Sequence, residues 1–138
     1  MDGKRDSRMV KIILDSNFLL VPFQFRIDIF EELNSLLGKA EPMVLSTTIE
    51  ELKRMAEKSS AKKHMQFSAA LKLAEKCEIL KVKRRTSERY DDVILRVANE
   101  LKIPVATNDA ELRKRLRRAG LATIYLRQKA RLVVEGHI

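Results

Sequence analysis

Apolar residues in this 138-residue chain follow two rhythms. Short unbroken runs rich in β-branched side chains alternate with longer stretches where apolar positions return every three or four residues. The first rhythm fits strands covered on both faces, and the second fits amphipathic helices. Val10-Lys11-Ile12-Ile13-Leu14 is the first run and ends at Asp15. Pro22 falls in the loop that follows. From Phe25 onward, Ile29, Phe30, Leu33, Leu36 and Leu37 recur at helical spacing, and Gly38 stops the helix. Pro42 precedes a second strand, Met43-Val44-Leu45. Ser46, Thr47 and Thr48 offer capping hydroxyls to a helix carrying Ile49, Leu52, Met55 and Ala56. Ser59-Ser60 breaks it, and a further helix runs from about Ala61 to Cys77 with Phe67, Ala70, Leu71 and Ala74 on one face.

Ile79 to Val82 is the third strand, and Lys83-Arg84-Arg85 follows as a basic loop. Ser87 is placed to cap a helix striped with Tyr90, Val93, Ile94, Val97 and Leu101. Pro104 to Thr107 is the fourth strand, Asn108-Asp109-Ala110-Glu111 opens a helix ending near Gly120, and Ala122 to Leu126 is the fifth strand. Residues 129–134 suggest a short appended strand. Residues 1–8 read as a flexible polar tail, which leaves 9–138 as one domain. Strands alternating with helices in this way predict an α/β fold whose central, mostly parallel sheet has five strands.

Composition narrows the function classes. Hydrophobic residues make up 45% of the chain, which is a globular rather than a disordered balance. Cys77 is the single cysteine, so no internal disulfide can form, and a small buried apolar role is expected for it. His64 and His137 have no nucleophile or ligand cluster beside them in sequence and are expected on the surface. No apolar run approaches the roughly 20 residues of a membrane span, and Met1 to Arg8 lacks the apolar centre of a signal peptide. A cytoplasmic protein without a membrane partner is the expectation. The formal net charge of +9 adds a polyanion, nucleic acid first. Tryptophan is absent and aromatics are 5% of residues, so base stacking is expected to be minor.

The acidic residues give that expectation a chemistry. In open parallel sheets, ligands bind beyond the carboxyl ends of the strands. Asp15 stands directly after the first strand and Asp109 just after the fourth. Glu51 and Asp91 lie in the first turns of the helices after the second and third strands. Asn108 with Glu111 fits a capping box, which would leave Asp109 free at the first helical position. At about 100° per residue, Asp91 borders its helix's apolar face while Asp92 points nearly opposite. Glu51 likewise borders its face and Glu50 points away. Asp91 and Glu51 are therefore the preferred ligands, with Asp92 as the alternative to Asp91. Four gathered carboxylates repel one another unless a cation offsets the charge. An all-oxygen set suits Mg²⁺ or Mn²⁺ better than zinc.

Ile13-Leu14-Asp15-Ser16-Asn17-Phe18-Leu19, Ile49-Glu50-Glu51-Leu52, Asp91-Asp92-Val93-Ile94 and Ala106-Thr107-Asn108-Asp109 resemble, in order, the acidic motifs of PIN-domain nucleases. The resemblance spans roughly residues 10–127. It implies a three-layer α/β/α fold and metal-dependent hydrolysis of RNA to 5′-phosphate and 3′-hydroxyl ends. It places the family's four acids on Asp15, Glu51, Asp91 and Asp109, as catalytic residues and metal ligands, with Asn17 and Thr107 in support. The pair Asp91-Asp92 and the ending Ile124-Tyr125-Leu126-Arg127 look closest to the small-subunit ribosomal-RNA processing branch and its archaeal relatives, with VapC-type toxins as another branch. The partners implied are RNA, a second copy of the chain, and an antitoxin or a ribosome-assembly factor. A PIN-like binding module that has lost cleavage is the alternative. Lys83, Arg84, Arg85 and Arg113 are the expected RNA contacts. Arg113 opens a basic helical segment that also holds Lys114, Arg115, Arg117 and Arg118.

Overall fold

A computed structural model describes residues 9–138; the polar tail expected at residues 1–8 lies outside the described residues. The elements follow as β1 (Val10–Leu14), α1 (Ser16–Leu19), α2 (Val21–Phe25), α3 (Ile29–Leu37), β2 (Ala40–Leu45), α4 (Ser46–Lys58), α5 (Ala61–Ala74), β3 (Glu78–Leu80), α6 (Tyr90–Leu101), β4 (Val105–Ala106), α7 (Ala110–Arg118), β5 (Thr123–Arg127) and β6 (Arg131–Glu135).

The strands form one sheet in the order β3-β2-β1-β4-β5-β6. Every neighbouring pair is parallel except β5 with β6. The sheet therefore has six strands, one more than the apolar runs suggest. The appended segment is the sixth: β6 sets Leu132 opposite Leu126 and Val134 opposite Ile124, and so covers an apolar edge of β5.

Alternate residues of each strand serve two cores, which is why the runs are apolar without interruption. Ile12, Leu14, Val44 and Ala106 pack with Phe18, Leu19, Ile29, Leu33, Leu52 and Ala70 on the face covered by α1 to α5. Ile13, Met43, Leu45 and Val105 pack with Val93, Ile94, Val97, Leu112 and Leu116 on the face covered by α6 and α7. The result is a three-layer α/β/α arrangement. Leu112 and Leu116 are completely buried, and truncating a leucine so placed to alanine costs about 2–5 kcal/mol.

Element boundaries moved where side chains found tertiary partners. Pro22 lies not in a loop but in the first turn of α2, where its missing N–H is not needed. Ser46, Thr47 and Thr48 are inside α4 rather than capping it. The Ser46 hydroxyl accepts from Val82 N–H at 2.9 Å and donates to Val82 C=O at 3.0 Å, so it fastens the segment after β3 instead. Ser87 does not cap α6. It lies at φ 70° in the preceding turn, and the helix start is closed by Asp92, whose carboxylate accepts from Arg89 N–H at 2.9 Å. Helix α5 ends at Ala74, three residues earlier than its apolar pattern suggests, and Cys77 is buried beyond it.

Candidate metal centre and its surroundings

The chain runs from β1 to β2 and β3 on one side and returns to β4 on the other. Between β1 and β4 the order reverses, and it is at such a switch point that a crevice opens beyond the strand ends. Leu14 is registered with Ala106 there, and Asp15 N–H donates to Ala106 C=O at 3.0 Å.

Asp15 is almost wholly buried, at 2% exposure. One carboxylate oxygen accepts from Ser16 N–H at 2.7 Å, capping α1. The other accepts from the Thr107 hydroxyl at 2.7 Å and the Asn17 amide at 3.0 Å. Thr107, also buried, receives Asp109 N–H at 3.1 Å. Asn17 turns its carbonyl to Asn108 N–H at 2.9 Å. Asp15, Asn17 and Thr107 thus clasp the ends of β1 and β4 together, and they fix the carboxylate's position without neutralising it.

Asp109 is itself the N-cap of α7. Its Oδ1 accepts from Glu111 N–H at 2.9 Å and Leu112 N–H at 3.1 Å. The capping box expected from Asn108 does not form, because the Asn108 side chain is taken by Leu126 N–H of β5 at 2.8 Å. Asp109 consequently stands one residue outside the helix.

Glu51 reaches the centre from the first turns of α4 and Asp91 from the start of α6. Asp92 and Glu50 lie elsewhere. Asp92 bonds Arg89 N–H and, through its other oxygen, Arg115 at 2.8 Å; Glu50 is exposed. Burial, with the Asp91 and Asp109 charges adding to it, pushes the Asp15 carboxyl up to about 6 despite the Thr107 and Ser16 hydrogen bonds. Burial and the Asp15 and Asp91 charges push Glu51 up to about 7, with the Ser16 hydroxyl offsetting part of the shift. Asp91 is raised by burial and by Asp109, against the pull of Arg89 and Arg115. All four carboxylates therefore share one electrostatic neighbourhood, joined by charge repulsion.

Two features fit a divalent cation. The donors are all carboxylate oxygens, and the buried Glu51 Oε1 has no hydrogen-bond partner, although an unpaired buried acceptor is costly. Among the described residues, no three carboxylate, thiol or imidazole groups close into a ready-made cage. Mg²⁺ does not require one, since it keeps several waters and takes one or two carboxylates plus substrate phosphates.

Lys83, Arg84 and Arg85 are exposed in the segment after β3. Arg84 lies over the Tyr90 ring, 4.8 Å from its centroid. Arg113 is half-buried, laid over the Tyr125 ring at 3.9 Å and facing Glu135 at 3.8 Å. Ser16, Arg89 and Asn108 act on the acids without having been singled out. Ser16 carries the one available signal, its place directly after Asp15; Asn108 read only as a cap. His64 and His137 are exposed, as expected. Burial raises the Cys77 thiol to about 11, which suits an inert core residue.

Residues 12–129 match the family model described as a PIN like domain. Together with the α/β/α layers and acids at the switch point, this match means that the chain belongs to the PIN-like domain family. It is 33% identical to Ribonuclease VapC4 of Methanocaldococcus jannaschii over 132 residues, covering 94% of this chain and all of that one. It is 29% identical to the rRNA-processing protein FCF1 of Saccharomyces cerevisiae over 111 residues, which are 78% of this chain and 54% of FCF1. The solved structure of the PIN domain endonuclease Utp24 superposes with a TM-score of 0.75 at 28% identity, covering 93% of this chain and 92% of that one. The VapBC-1 structure from nontypeable Haemophilus influenzae, at 19% identity and a TM-score of 0.57, shares the fold. No helix among the described residues is long and apolar enough to cross a membrane.

Proposed function

We propose that this protein is a divalent-metal-dependent endoribonuclease whose centre is Asp15, Glu51, Asp91 and Asp109. The observation that carries the reading is the mutually repelling carboxylate group at the switch point, with Asp15 buried and Glu51 Oε1 left unpartnered. Such a group stores an electrostatic cost that a cation offsets. Asp15 is the fixed member, held by Thr107 and Asn17. Glu51, near a pKa of 7, exchanges a proton for a cation readily at neutral pH. Asp109 and Asp91 would complete the set from the other side of the crevice. When bound, Mg²⁺ or Mn²⁺ supplies charge neutralisation at the phosphodiester and a more acidic attacking water. The reaction is hydrolysis: water oxygen forms the new bond to phosphorus and the bond to the 3′ oxygen breaks. That oxygen leaves with a proton, giving 5′-phosphate and 3′-hydroxyl ends.

The nuclease names of VapC4 and Utp24 support this reading. The likeness to the rRNA-processing protein FCF1 favours ribosomal RNA as the target class. The identity to VapC4 favours a toxin held by an antitoxin. Growth arrest on expression, relieved by a neighbouring small protein, would select the toxin role.

The test is cleavage of end-labelled RNA by purified protein with Mg²⁺, Mn²⁺ or EDTA. Metal-stimulated cleavage leaving 5′-phosphates is expected. RNA left intact with both metals, under conditions where the protein is folded, would overturn the proposal and leave the binding-module reading.

A further inference from the structure

The β5–β6 hairpin carries a feature that neither the acid centre nor the sheet explains. β5 and β6 are joined by a tight turn, with Ala130 N–H donating to Arg127 C=O at 3.1 Å. Its two central residues, Gln128 and Lys129, have φ of 54° and 57°. Two successive left-handed residues are the pattern of a type I′ turn, which favours asparagine and glycine, and Ala130 completes a three-residue connection. Arg127 and Arg131 are directly opposite one another across the strand pair, and like charges so placed repel. Arg127, Lys129 and Arg131 are exposed. Among the described residues none of the three makes a side-chain hydrogen bond or ion pair. Three cations are therefore concentrated on a strained tip with no side-chain partner among the described residues.

The tip has a defined address. Leu126, immediately before Arg127, is pinned by Asn108, and Asn108 adjoins Asp109. Tyr125 shares the strand face of Arg127, and Arg113 lies over its ring. Cations thus lead from the first turn of α7 to the hairpin tip. At the opposite end of the same carboxyl edge, Lys83–Arg85 follow β3. The two basic segments are separated by four strand positions, ~19 Å at about 4.8 Å per strand, with the acids between them.

We propose that Arg127, Lys129 and Arg131 form a second phosphate-contacting arm that holds a single-stranded RNA backbone on the far side of the carboxylates from Lys83–Arg85. This rests on the ribonuclease reading. A strand lying along the carboxyl edge would meet cations at both ends and acids at the middle, so that one phosphodiester is presented to the centre while its neighbours are held.

The experiment measures binding of a labelled oligouridine in EDTA by fluorescence anisotropy across NaCl concentrations. It compares the parent, the R127Q/K129Q/R131Q triple and K39Q/K76Q/K102Q. The last removes the same charge from three exposed lysines that precede β2, β3 and β4 at the amino edge. Each lost phosphate contact flattens the slope of log K against log salt by about 0.7 for a single strand. The hairpin triple should therefore flatten the slope by about 2, the amino-edge triple by much less than the hairpin triple, and R127K/K129R/R131K should keep the parental slope. An unchanged slope in the hairpin triple, or equal flattening in both glutamine triples, overturns the arm. If the parent still cleaves RNA in that case, the nuclease reading stands and only the arm falls. A parent that neither binds nor cleaves RNA overturns both.

Discussion

Two groups of carboxylates meet at Asp91 and Asp92 in this molecule and are treated in opposite ways. Glu88 and Asp92 flank the start of α6 and are fully engaged. Glu88 takes Arg96 at 2.9 Å through both oxygens and Arg85 N–H at 2.7 Å, and these bonds hold its carboxyl down at about 2. Asp92 is lowered by Arg89 N–H and by Arg115. Asp15 is instead buried, with the half-buried Glu51 and Asp91 beside it, and each of the three is raised. The chain has 28 basic residues, so cations to pair with these acids are not scarce. The flank acids take arginine in direct ion pairs, whereas among the crevice acids Asp91 feels Arg89 and Arg115 only as partial offsets to a net upward shift. A carboxylate the protein satisfies builds structure, whereas one it leaves in want of positive charge is available to a ligand.

The sharpest way to break this contrast is a matched pair of substitutions. Asp15→Asn keeps shape and removes charge. It should lower cleavage by more than about 100-fold, since loss of even an outer partner of a metal ligand costs 10–100-fold. The melting temperature should hold or rise. Asp92→Asn should leave cleavage within a few-fold and cost about 1 kcal/mol or less of stability. Equal losses of activity in single-turnover assays would erase the distinction.

Next in size is the response of the metal-free protein to pH. Asp15 and Glu51 bind protons more tightly folded than unfolded, so their contribution to stability is greatest below about pH 4. It falls as pH rises through about 6 and 7. For Asp15 alone the loss is about 3 kcal/mol. Thermal melts in EDTA should show this decline, and adding Mg²⁺ or Mn²⁺ above pH 7 should reverse it. A metal-free melting temperature that climbs steadily from pH 4 to pH 8 would contradict the unpaired centre.

Glu88 should behave with the opposite sign and a smaller amplitude. Its stabilisation is present above its ordinary range near 4.5 and is lost as pH falls toward about 2. Glu88→Gln should melt below the parent at pH 7, with the difference shrinking in acid. The same substitution releases Arg96, which also holds Lys83 C=O at 2.9 Å, so KM for RNA should rise more than kcat falls. A constant difference in melting temperature across pH would point to packing instead of charge.

The apolar rhythm by itself determined the α/β class, the parallel core of the sheet and the side of the sheet on which chemistry could occur. Uninterrupted runs such as Ile12-Ile13-Leu14 require cover on both faces, and strand-end acids require a polar edge. Helical phase also separated Glu51 from Glu50 and Asp91 from Asp92, since a rotation of about 100° is local geometry. What the rhythm could not determine was where short polar side chains spend their hydrogen bonds. Ser46, Ser87 and Asn108 all read as local caps, yet Ser46 is held by Val82, Asn108 by Leu126, and Ser87 is displaced by Asp92. Those partners lie 36, 18 and a few residues away, and a capping preference of about 1 kcal/mol yields readily to a tertiary backbone N–H in need of an acceptor. The sixth strand was decided in the same way: residues 131–135 pair because Ile124 and Leu126 leave an apolar edge to cover. Only the folded molecule placed the four acids in one electrostatic neighbourhood, because burial and mutual repulsion are properties of the crevice between β1 and β4 and not of any segment that lines it.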